Sequence, residues 1–80
     1  MTPARKELDM DTYSGRFAAR LKELREKAKI TAKEAASRLG VSETTVFFWE
    51  SGTRQPKISD LPKIAEAYSL RKTRDVLPPE

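Results

Sequence analysis

Apolar residues along this chain recur at helical intervals. Phe17, Leu21, Leu24 and Ala28 follow one another at steps of four, three and four, which draws one stripe along a helix. Arg16, Arg20, Lys22, Arg25 and Lys27 mostly take the other faces, so a first helix is predicted from about Thr12–Ser14 to near Lys29. Thr31 then opens T-A-K-E, the spacing of a capping box in which Thr31 bonds the Glu34 amide and Glu34 reaches back. A second helix is predicted to run to about Leu39, with Ala35, Ala36 and Leu39 facing inward. Ser42 is a good N-cap for a third helix to about Ser51, which Gly52 ends. Ser59 is predicted to cap a fourth helix, with Pro62 tolerated in its first turn and Leu61, Ile64, Ala65 and Tyr68 as its buried stripe. Residues 72–77 suggest one last short turn carrying Val76 and Leu77. The prediction is an all-α fold, a compact four- to five-helix bundle over residues 12–77. Residues 1–11 are expected to form a mobile arm, partly helical near its end, and residues 78–80 a tail.

The second and third helices have the pattern of a bent pair. Two helices crossing at roughly 90–120° through a three- to four-residue turn need a small side chain at the crossing, which Ala36 supplies. Gly40 lies where a left-handed backbone is usually required. Val41 would plug the corner, and Val46 and Trp49 would bury one side of the third helix against the first. At about 100° per residue, Thr44 and Ser51 then point furthest from the core, with Phe47 and Phe48 flanking them and Glu43 at the edge. This is the outline of a helix-turn-helix, a device that presents a helix to the DNA major groove.

Composition narrows the chemistry. Eighty residues with 38% hydrophobic and 35% charged allow one small folded domain. Zero Cys and zero His remove thiol nucleophiles, thiolate sites and the commonest general base and metal ligand. The carboxylates are scattered among Lys and Arg, so neither a metal nor an enzymatic acid–base pair is expected, and no cofactor is implied. No apolar run approaches membrane-spanning length and the N-terminus lacks a signal-peptide pattern, so a cytoplasmic protein with no membrane partner is expected. A net charge of +4 and a pI near 9.6 permit nucleic-acid binding without demonstrating it.

RLKELREKAKIT, EAASRLGVSETTV and WESGTRQP together resemble the Cro/cI-type (XRE) repressor family, over about Arg16 to Leu77. W-E-x-G-x-R-x-P following a Gly-Val-Ser turn is the most specific part. The resemblance implies a phage-repressor-like fold and double-stranded DNA as partner. It implies an ion pair between Arg25 and Glu50 that fixes the presentation of the third helix. It places Ser42, Glu43, Thr44, Thr45 and Phe48 at base edges. Thr31, Ala32 and Lys33, together with Thr53, Arg54, Gln55 and Lys57 after the third helix, would meet phosphates. Many family members carry Gln at the start of the second helix and early in the third, where this chain has Ala32 and Thr44, so bidentate adenine recognition is absent.

Phe47 and Phe48 are unusual on a base-reading helix. Three readings stand: contact with thymine methyl groups, most naturally by Phe48; a protein contact; or cover by Leu8 or Met10 from the arm. The leading expectation is a sequence-specific transcriptional regulator, a repressor acting as a homodimer on a palindromic operator. No ligand or separate dimerisation domain is expected in this length. Tyr68, Leu70, Val76 and Leu77 are the candidate dimer contacts, and truncation before Ser69 is expected to abolish cooperative binding while leaving helicity. The alternative is a protein-interaction module or antitoxin-like partner that uses Phe47 and Phe48.

Overall fold

A computed structural model describes residues 10–78. Residues 1–9 of the expected arm, Leu8 among them, and residues 79–80 of the tail lie outside the described residues. Four α-helices follow in order: α1 Tyr13–Lys27, α2 Ala32–Leu39, α3 Glu43–Ser51 and α4 Leu61–Ala67. Short 3-10 turns occupy Ile58–Asp60 and Thr73–Val76, and no strand occurs among the described residues.

The starts of the first three helices are set by hydroxyl side chains. Thr12, Thr31 and Ser42 each accept a hydrogen bond from the backbone amide three residues on, at 3.0, 3.0 and 3.1 Å. The capping box at Thr31 is only half formed, because the Glu34 carboxylate pairs with Arg38 at 2.9 Å instead. The ends share one device. Ile30 N–H bonds Arg25 C=O, Val41 bonds Ala36 and Leu70 bonds Ala65, each closing a helix around a left-handed residue. Those residues are Lys29 (φ 62), Gly40 (φ 73) and Ser69 (φ 60). Lys29 therefore lies past the end of α1, which stops two residues earlier than its pattern predicts.

Ser59 does not cap α4. The Asp60 carboxylate takes the Lys57 amide at 2.9 Å and winds Ile58–Asp60 into a 3-10 turn, and α4 starts beyond it with Pro62 in its first turn. Ile58 is left 85% exposed.

One core joins all four helices. Phe17, Leu21 and Leu24 from α1 meet Ala35, Ala36 and Leu39 from α2, Val46 and Trp49 from α3, and Ile64, Ala65 and Tyr68 from the α4 region. Each fully buried side chain such as Leu21 or Ile64 contributes about 1.5–3 kcal/mol from burial. The last 3-10 turn packs on α4 and α1 and inserts Val76 at 0% exposure. Two arginines tie the periphery: Arg20 donates to Asp75 C=O at 3.1 Å, and Arg38 donates to Ala67 C=O at 2.9 Å.

These placements correct the expected dimer surface. Tyr68 and Val76 are interior residues of the monomer, while Leu70 and Leu77 are half-buried against the same core. Periodicity near the C-terminus found apolar residues but not their direction. Truncation before Ser69 would remove Val76 from the core, so it is a stability lesion and not a clean test of dimerisation.

Candidate nucleic-acid interface

α3 is positioned from three sides. Val46 and Trp49 anchor it in the core, Gly40 and Val41 set its angle to α2, and an ion pair holds its C-terminal turn. Arg25 Nε meets Glu50 Oε2 at 2.7 Å and Nη2 meets Oε1 at 3.1 Å, a two-pronged contact. The third nitrogen donates to Ile30 C=O at 3.0 Å, so the same guanidinium also grips the end of α1. The two side chains are 15% and 11% exposed. The hydrogen bonds that Arg25 donates to Glu50 hold its pKa above the ordinary value against the cost of burial. Tyr68 lies close to this pair, and burial, with Glu50 adding to it, pushes its phenol up to about 12.

The outward face of α3 divides by engagement. Ser42 Oγ and Thr45 Oγ1 bond each other at 2.9 Å within the helix cap, and Ser51 Oγ binds Phe48 C=O and Thr53 Oγ1. Phe48 is half-buried beneath Arg54, whose guanidinium carbon stands 5.7 Å from its ring centroid and whose amide bonds Phe48 C=O at 3.2 Å. Glu43, Thr44 and Phe47 are exposed, and among the described residues neither the Glu43 nor the Thr44 side chain has a polar partner. Of the five expected base-reading residues, then, Ser42 and Thr45 are tied into the cap and Phe48 lies under a cation. Phe47, outside that set, is 59% exposed. Arg54 folds over Phe48 and not over Phe47, a difference that helical spacing alone does not signal.

The expected phosphate set divides in the same way. The Thr31 hydroxyl caps α2, where Ala32 and Lys33 follow with the first, unbonded amides of the helix. The Thr53 hydroxyl is shared with Ser51, and Gln55 Nε2 donates to Ser14 Oγ at 2.6 Å, which moors the loop after α3 to the start of α1. Lys33, Arg54 and Lys57 are exposed and make no ion pair among the described residues. Met10 lines a hollow on α1 with Ala19, Arg20 and Pro78 and does not cover either Phe ring. No cluster of acidic groups able to hold a metal ion exists among the described residues.

Comparison with known proteins gives a consistent picture. A helix-turn-helix family model matches residues 21–73. The cryptic phage CTXphi transcriptional repressor RstR of Vibrio cholerae is 30% identical over 54 residues, 68% of this chain and 49% of that protein. The chain thus spans about half the length of that relative. Among solved structures, the restriction-modification controller protein C.AhdI from Aeromonas hydrophila aligns with a TM-score of 0.72 at 26% identity, over 78% of this chain and 92% of its own. The hypothetical transcription factor NHTF from Neisseria aligns with a TM-score of 0.77 at 22% identity over 99% and 90%, a likeness of fold.

Proposed function

The chain belongs to the helix-turn-helix family, of the Cro/cI (XRE) type, and from that premise we propose that it is a sequence-specific DNA-binding transcriptional regulator acting as a repressor. In this reading α3 enters the major groove and two copies occupy a palindromic operator, with half-sites about one helical turn apart. The observation that carries it is the division of labour on and around α3. Among the described residues the side chains of Glu43 and Thr44 stand outward without a polar partner, while Lys33, Arg54 and Lys57, which make no ion pair there, lie at the start of α2 and beyond the end of α3. Base edges would meet the outward side chains, with Glu43 able to accept from cytosine N4, and phosphates would meet the cations and the first amides of α2.

The resemblance to a phage repressor supports the direction of regulation. Selection of bound duplexes from a random pool, at two salt concentrations, tests the reading. An enriched, inverted-repeat sequence with a steep salt dependence is expected. A promoter carrying that sequence should be silenced by the chain in a reporter assay. Uniform, sequence-blind retention would instead favour a protein-interaction module.

A further inference from the structure

Phe47 is the one large apolar side chain exposed on α3 among the described residues, and Phe48 beside it is occupied. The two rings stand 6.4 Å apart, tilted by 50°, and do different work. Phe48 carries the Arg54 guanidinium on its face, 5.7 Å from the ring centroid. Phe47 is left beside Glu43 and Thr44 on the outward side of the helix, at 59% exposure. A phenyl ring can take part in no directional hydrogen bond with a base edge. The apolar group that the major groove displays is the thymine 5-methyl.

We propose that Phe47 is a specificity residue that reads the 5-methyl group of thymine by apolar contact, and that Phe48 acts as the rest for the phosphate-binding Arg54. This rests on the DNA-binding function proposed above. Two observations favour a DNA methyl over a protein partner. One ring offers about 150–250 Å² even when wholly buried, against roughly 800 Å² per side for a standard protein interface. The charged groups at the start of α2 and beyond the end of α3 point the same way, because Lys33, Arg54 and Lys57 make no ion pair among the described residues and suit flanking phosphates.

The test uses the whole chain and duplexes selected from a random pool by the wild type. Each thymidine is replaced in turn by deoxyuridine, which deletes only the methyl, and binding is measured for wild type, Phe47→Ala and Phe47→Leu. At the contacted thymine, uracil should weaken wild-type binding about fourfold, the equivalent of about 0.8 kcal/mol for one buried methylene-sized group. Phe47→Leu should keep most of that discrimination, and Phe47→Ala should bind the two duplexes alike. All three should melt alike by circular dichroism, because the ring is outside the core. A uracil penalty found nowhere in the wild type, or kept undiminished in Phe47→Ala, would overturn the inference and leave operator recognition standing. Failure of the wild type to enrich any sequence would overturn both, and would make the ring a protein contact.

Discussion

At the residue scale, Arg25 does more than pair with Glu50. One guanidinium spans the end of α1, through Ile30 C=O, and the last turn of α3, so it sets the relation of the two helices. The gain in net stability from such a pair is small, since desolvation of both ions offsets most of their attraction. Removing one partner is a different matter. Glu50→Gln leaves a guanidinium, 15% exposed, without its counter-charge and should cost about 3 kcal/mol, the low end for a broken buried pair. Replacing both residues by Met should cost less than that single change. Urea denaturation of the three proteins checks the order, and a double variant less stable than Glu50→Gln would contradict this account. The pair was legible in the sequence only through the family resemblance, because 25 positions separate its members and no periodicity links them. Arg54 over Phe48 shows the opposite limit. Both residues were singled out, but cation–ring stacking depends on how the chain turns after Gly52, and that changes which Phe is free.

The element scale was the most legible, for a local reason. Hydroxyl caps act over three residues and glycine acts at one, so Thr31, Ser42, Gly40 and Gly52 mark their boundaries without help from the tertiary fold. What escaped were left-handed closures at residues that do not favour them. Lys29 and Ser69 are held at positive φ because Ile30 and Leu70, next in the chain, turn back onto the core. The Ser59 cap failed for a local reason: Asp60 takes the Lys57 amide and winds Ile58–Asp60 into a 3-10 turn, and Pro62, three residues after Ser59, has no N–H for a cap to accept. Opposite substitutions at equivalent positions expose the backbone cost. Gly40→Ala meets nothing within 4 Å of the new Cβ, so its penalty is conformational alone, about 1–2 kcal/mol. Lys29→Gly removes a similar strain from the native state while adding freedom worth about 0.4–1 kcal/mol to the unfolded one. It should therefore raise stability by a few tenths to about 1 kcal/mol. Thermal melts of the two variants should move in opposite directions from the wild type, and a stabilising Gly40→Ala would contradict this account of the turn.

For the whole molecule, the sequence showed that apolar residues continue to Leu77 but not that they close the monomer's own core. Val76 is fully buried because the last 3-10 turn folds back between α4 and α1, a long-range placement with no local signature. A homodimer cannot then rest on Tyr68 or Val76, and the electrostatics offer a way to count the copies bound. At the start of α2 and beyond the end of α3, each chain presents three exposed cations that make no ion pair among the described residues, Lys33, Arg54 and Lys57. If each neutralises one phosphate, log affinity should fall against log salt with a slope of roughly −3 for one bound chain and roughly −5 for two. Lys57→Ala should weaken binding to all sequences alike and flatten that slope by about 1 if one copy binds, or about 2 if two do. Lys27→Ala is the control, because Lys27 pairs with Glu23 on α1 at 3.6 Å and should leave the slope unchanged. A slope insensitive to Lys33 and Lys57 would place the phosphates on another face of the protein, and would take α3 out of the groove.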